Sequence, residues 1–239
     1  MNDDLLDIQF FLDSLPDKYN ILEAGIDIQL QQEYINHSDT FDRGELTENE
    51  TRSLGSILLK KDLPVKNKKA ALVLLAHLGT IEAFRQIEKY NNNPDNELQQ
   101  WTLLALQECK MFLENSLLDE SIGFISTGIG GLDNRLRYYF FVLPPTSYTF
   151  SKIQKDIVKD EFHLVCKNFN SILETINFSD TFIAMKILVP LDVAVGTIIE
   201  AGINKCNELG DFVFIHYYVT NDKIPEQSEI DDIIKIIRD

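Results

Sequence analysis

The stretch STGIGGLDNRLRYYFFVLPP, residues 126–145, places Gly128, Gly130 and Gly131 directly ahead of a very apolar run. A phosphate cradle needs a strand before its glycines and a helix after them, because the helix N-terminus supplies the free N–H groups. Arg135 to Leu143 reads as a strand instead, and Gly131-Leu132-Asp133 stands where Gly-Lys-Ser or Gly-Lys-Thr would be required. The glycines are therefore read as a hairpin or bulge that permits positive φ, and GFIST before them as an extra strand or extended linker. DTFDRGELTENE, residues 39–50, sets Asp39, Gly44 and Glu50 at calcium-loop spacing. Phe41 and Arg43 occupy its third and fifth positions, where oxygen ligands are needed, so no calcium site is expected.

His163 and Cys166 are three apart on a predicted helix, but His163 shares a solvated face with Lys152, Lys155, Lys159 and Lys167, and no second ligand pair has zinc spacing. His37 falls in a loop, His77 ends a buried helix, and nothing local activates Cys206 with His216 as a nucleophile and base. No catalytic, cofactor-binding or metal-ligating residue is predicted. Lys60, Lys61, Lys66, Lys68 and Lys69 cluster around Pro64; they could hold an anion, but pairing with acidic residues near the N-terminus needs no ligand.

Strand parity gives the most informative constellation. Arg135, Arg137, Tyr139 and Phe141 share one face, as do Phe212, Phe214, His216 and Tyr218, while Lys186 alternates likewise with Phe182. The opposite faces are aliphatic and suit covering helices. An aromatic and basic sheet face of this kind is costly to leave wet, so it is expected to be covered by the helical half or by a second copy of the chain. The same chemistry could bind a small molecule or stack nucleic-acid bases, although no RNA-recognition motif accompanies it.

These residues must be positioned by two different kinds of chain. The first 120 residues read as helices, beginning with DDLLDIQFFLDSLP and DKYNILEAGIDIQLQQEYINH. Thr47 and Glu50 have capping-box spacing, Pro64 starts another helix, and AALVLLA (70–76) is apolar all round and must be buried. A helix over TIEAFRQIEKY follows Gly79. After the break at NNNPDN, a last one carries Leu98, Trp101, Ala105, Cys109 and Phe112 on a stripe. Residues 121–239 read as β-α-β-β-α-β. The strands are RLRYYFFVLP, SILETINF, TFIAMKILVP and DFVFIHYYVT; the helices turn Ile153, Ile157, Phe162 and Leu164, and Val195, Ile199, Gly202, Cys206 and Leu209, inward. SEIDDIIKIIRD forms a terminal helix on the outside.

Through KNKKAALVLLAHLGTIEAFRQI and PDNELQQWTLLALQE, residues 64 to about 118 resemble HEAT-type helical repeats. The resemblance implies a protein-binding scaffold with no catalytic residues to carry over. By element order the second half resembles a ferredoxin-like fold, which hosts too many activities to imply one. The expected class is α+β, with an N-terminal helical HEAT-like layer (1–120) followed by a ferredoxin-like domain (121–239).

The formal net charge of −16 opposes an extended nucleic-acid or anionic-membrane surface, and residues 1–50 alone carry −11. The three cysteines are far apart and odd in number, which fits a reducing compartment. The N-terminus is acidic where a secretory signal needs positive charge, and no apolar run approaches a membrane span, so the expected location is cytoplasmic. The expected function is a non-catalytic protein-binding or adaptor module with a basic protein partner, one form being an acidic inhibitor or immunity-type protein. The alternative is a small-molecule sensor or enzyme using the aromatic and basic face. Homodimerisation through that face is a further expectation.

Overall fold

Caps and breakers decide where most elements begin. The structure, a computed structural model, describes residues 16, 18–41, 45–145 and 149–238. Helices and strands are mixed, so the class is α+β. The chain divides into two compact units: one holds the residues up to Leu22 and Ile26–Ser126, the other holds Glu23–Gly25 and the residues from Thr127 onward.

In the first unit α1 (Ile28–Ser38) starts at Asp27, whose side chain accepts from the Gln29 and Leu30 amides. Thr47 and Glu50 form a complete capping box on α2 (Glu48–Leu58). Pro64 precedes α3 (Val65–Leu78), which Gly79 ends at φ 55°. Thr80 caps α4 (Ile81–Asn91), and α5 (Gln99–Leu118) stops at Asp119 in the left-handed region. Leu72, Val73, Leu75, Ala76, Leu98, Trp101, Ala105 and Cys109 are fully buried, as the apolar helix and the stripe require. Two expectations fail here: His37 lies in α1 and not in a loop, and Lys18–Ile21 is a strand, β1, in parallel register with β2 (Ile122–Ile125). The segments of the notional calcium loop at residues 42–44, and the first predicted helix up to Leu15, lie outside the described residues.

The second unit opens with β3 (Gly131–Leu132), which turns through Asp133 and Asn134 at φ 48° and 59° into β4 (Arg135–Val142). Two successive positive φ angles make this a hairpin turn of the primed type, in which Asp and Asn are tolerated. The glycines ahead of it serve close backbone approach: a Cβ on Gly128 would stand 1.5 Å from the Asp222 carbonyl oxygen. Next come α6 (Lys152–Asn168), β5 (Ile172–Phe178), β6 (Ile183–Pro190), α7 (Val195–Glu208), β7 (Tyr217–Thr220) and α8 (Gln227–Arg238). The sheet runs β5-β6-β4, with β3 and β7 both on the far edge of β4 and every pairing antiparallel.

Each sheet face buries its own core. Phe140, Val142, Ile183, Met185 and Ile187 pack against Val158, Phe162 and Val165 of α6 and Ile198, Ile199 and Ile203 of α7. The inward stripes differ from expectation at Ile153, Leu164 and Leu209, which are all more than half exposed. Tyr139, Phe141, Phe182 and Ala184 pack against Ile230 and its helical neighbours Ile233, Ile234 and Ile237 on the other side.

Candidate functional site

The aromatic face is where parity put it, and α8 covers it. Tyr139 and Phe141 are buried, and Phe141 stacks on Tyr218 with ring centroids 5.3 Å apart. Phe214 joins the same cluster, and Lys186 pairs in register with Tyr139. The cover is thus the chain's own last helix, and a homodimer through this face would have to displace it. Phe212 departs from the expected face and lies with Val213 in the α6–α7 core. Asn207 explains the departure: its side chain holds the Phe212 and Val213 amides and the Val213 carbonyl, so residues 211–216 leave the ladder and lose their alternation. His216 is exposed and edge-on to Phe214, whereas Cys206 is buried in the core, so these two do not form a nucleophile–base pair.

The two arginines of the face are tied down structurally. Arg135 donates to the Asn170 carbonyl and side chain at 2.9 and 3.1 Å. Arg137 grips Glu174 with two bonds, at 2.6 and 2.9 Å, and donates to the Ile129 carbonyl at 2.9 Å. Glu174 sits at a register shift between Leu173 and Thr175, and such an irregularity re-aims a side chain. The lysine cluster divides likewise. Lys68 is buried on Asp95 and lies over the Tyr90 ring; Lys69 pairs with Glu33 at 2.7 Å and lies 4.2 Å above the Trp101 ring.

A different group of polar residues, on three helices of the first unit, builds a site. Tyr34 and Ser38 are one turn apart on α1, and both donate to Glu108 of α5, at 2.6 and 3.1 Å. Burial, then the Glu108 charge, holds the Tyr34 phenol well above its usual range, so it remains a donor. The Ser38 oxygen is also 2.7 Å from His77 Nε2, at the end of α3. The direction of that contact follows the imidazole tautomer, because a serine hydroxyl can both donate and accept. Glu108 stands 3.6 Å from the same nitrogen, and His77 Nδ1 is buried without a partner. In a serine nucleophile the imidazole accepts the hydroxyl proton and the acid holds its other nitrogen. Here the carboxylate lies beside the nitrogen nearest the serine and the other nitrogen has no acid partner among the described residues, so the cluster is arranged as a hydrogen-bonded anchor for a carboxylate and lacks the acid–imidazole relay of a serine nucleophile.

Beside it lies a cavity of about 460 Å³ between α1, α5 and β2. Ile35, Leu104, Phe124 and Ile125 form apolar walls; Tyr34, Ser38 and Glu108 form the polar end, and Asp39 and Ser126 also line it. The Ser126 hydroxyl is buried without a partner. Among the described residues no group of three or more His, Cys, Asp or Glu could hold a metal, and no helix is long and apolar enough to cross a membrane. Burial pushes the thiols of Cys109, Cys166 and Cys206 up to about 12, 11 and 12, which leaves them protonated and unreactive near neutrality.

Nothing in residue spacing announced Tyr34, Ser38, His77 and Glu108 as a group. The faint signals were the four-residue step from Tyr34 to Ser38 and a glutamate placed beside Cys109 on an apolar stripe.

No protein-family model and no curated protein matches the chain. Among solved structures it is similar to a transposase candidate from Deinococcus radiodurans R1, at 10% identity over 43% of this chain and 88% of that one, with a TM-score of 0.36. It is also similar to a REP-associated tyrosine transposase bound to a REP hairpin, at 7% identity over 44% and 65% of the two chains and a TM-score of 0.33. The C-terminal domain of the MgtC protein from Mycobacterium tuberculosis is 13% identical over 39% of this chain and 97% of its own, with a TM-score of 0.29. Similarity at this level assigns neither a fold family nor an activity.

Proposed function

We propose that the protein is a non-catalytic, cytoplasmic binding module whose helical unit holds a basic protein, an acidic inhibitor being one specific form. The observation that carries the reading is the cavity beside Glu108: its charged lining residues, Asp39 and Glu108, are both carboxylates, in a chain of net charge −16. Such a surface draws cationic partners and repels anionic ones.

The architecture supports a scaffold. In the first unit α2 packs on α4 and α3 on α5, the alternate-helix contact of stacked helical pairs, in keeping with a HEAT-like reading of residues 64–118. In the second, the strand order β5-β6-β4-β7 with two helices on one face supports the ferredoxin-like reading. The lack of an acid partner on His77 Nδ1 among the described residues and the protonated thiols support a non-catalytic role. Affinity capture of the tagged protein from its own lysate at low and moderate salt tests the proposal. A stoichiometric basic partner that is lost as salt rises is expected; turnover abolished by substituting a cavity residue would refute it.

A further inference from the structure

We infer that the Glu108 cavity is a monocation site that receives the ammonium or guanidinium end of a Lys or Arg side chain from the basic partner; the inference rests on the binding-module reading above. Glu108 has a side chain only 12% exposed, yet its two closest hydrogen bonds come from neutral hydroxyls, those of Tyr34 and Ser38. Neutral donors replace only part of the hydration that a buried carboxylate loses, and a cation completes the exchange. The titratable groups facing it are Tyr34, held protonated, His77, whose Nε2 lies 2.7 Å from the Ser38 oxygen and 3.6 Å from the Glu108 carboxylate, and Asp39 and Cys109, neither of which is basic.

The shape of the cavity specifies the rest of the ligand. Its volume of about 460 Å³ falls in the range of small-ligand pockets. The walls of Ile35, Leu104, Phe124 and Ile125 suit an alkyl stem, and Ser126, whose buried hydroxyl has no partner among the described residues, also lines the cavity. Long basic side chains have this form, an apolar stem carrying a charged head. An anion would meet two carboxylates, and an uncharged amide would add no positive charge beside Glu108. The source is a protein side chain and not a free amine, because a net charge of −16 acts on a partner bearing many positive charges far more strongly than on a single one.

The test is titration of the full chain, followed by NMR, with n-butylammonium, n-butylguanidinium, n-butanol and butyrate. A short lysine-containing peptide and its Nε-acetyl counterpart form the second arm. Binding of the two cations and the unmodified peptide is expected, with no binding of butyrate or the acetylated peptide. Glu108→Gln should weaken peptide binding about tenfold or more, the scale of a lost charge-assisted hydrogen bond. Glu97→Gln removes the same charge from an exposed position outside the cavity and should change binding less than about twofold. Ile35→Trp, at a cavity-lining residue already 52% exposed, should block both cation and peptide without lowering the melting temperature, which keeps the test valid if Glu108→Gln unfolds.

Butanol binding as tightly as butylammonium, or equal effects of Glu108→Gln and Glu97→Gln, would overturn the inference. So would a free amine that binds where the peptide does not, since the ligand would then be the amine itself. A basic protein still captured in full by Glu108→Gln would leave the module reading standing and remove this site from it. Cation binding at the cavity with no basic protein ever captured would remove the module reading instead.

Discussion

Replacing Arg137 by Ala decides whether that arginine binds a ligand or holds the sheet together. Its guanidinium makes two bonds to Glu174, at 2.6 and 2.9 Å, and one to the Ile129 carbonyl at 2.9 Å, with the two charged side chains 20% and 21% exposed. The Glu174 contact raises the arginine's affinity for its proton. A fully exposed pair would contribute only about 0–1 kcal/mol, and hydrogen bonds to charged groups contribute about 1.5–3 kcal/mol. A bidentate pair one-fifth exposed lies between these, at about 2 kcal/mol, and the Ile129 carbonyl adds about 1 kcal/mol. Arg137→Ala should therefore cost about 3 kcal/mol, Glu174→Gln about 1–2 kcal/mol, and a double-mutant cycle should return a coupling near 2 kcal/mol. The transition should be followed by circular dichroism. The sole tryptophan, Trp101, belongs to the first unit, so its fluorescence alone could miss unfolding of the second. A loss of stability below about 0.5 kcal/mol, the scatter of ordinary surface substitutions, would refute the structural assignment and return Arg137 to the list of ligand-binding candidates.

Two glycines of α7 should respond to alanine with opposite signs. A Cβ on Gly202 would lie 2.5 Å from the fully buried Phe162 ring, so overpacking should exceed the gain in helix propensity and leave a net cost of about 1–2 kcal/mol in chemical denaturation. Gly196, in the first turn of α7, meets the Tyr217 hydroxyl at 3.2 Å and the Glu200 carboxylate at 3.7 Å, both ends of side chains that can move, and its alanine variant should stabilise by about 0.5 kcal/mol. Lys68, then Tyr90, holds the Asp95 carboxyl below the usual carboxylate range. Its folded pKa is thus below the unfolded one, and the stability it contributes is present above about pH 4 and lost as pH falls through the folded value. Asp95→Asn should flatten that acid limb. At pH 7 it should cost about 1–3 kcal/mol, discounted because the Asp95 side chain is 45% exposed although that of Lys68 is 3% exposed. Finally, iodoacetamide at pH 8 should leave Cys109, Cys166 and Cys206 unmodified in the native protein and label all three after denaturation; native labelling within minutes, seen by mass spectrometry, would contradict their burial.

Local chemistry carried much of the fold into the sequence. Thr47 with Glu50, Pro64, Gly79 and the period-two faces of β4 and β6 each act within a few residues, and each element stands where those signals put it. Features made at long range were hidden. The strand at Lys18–Ile21 finds its partner about a hundred residues later, and four residues are too few to override a helical-looking acidic context. The parity of residues 212–216 failed because one side chain, Asn207, captured backbone groups that a ladder would have used. The Glu108 cluster needed α1, α3 and α5 to be brought together before it existed at all.

Three residues near the start of the chain, Glu23–Gly25, belong to the second unit, and the Glu23 carbonyl accepts from the Gly131 amide. No single cut in the gene can therefore release either unit whole: a fragment beginning at Thr127 lacks its Glu23 acceptor, and one ending at Ser126 retains a segment made for the other. During synthesis that segment leaves the ribosome about a hundred residues before its destination exists. The second unit can close only after its own chain is finished, and recombination between genes would have to pass on both units together.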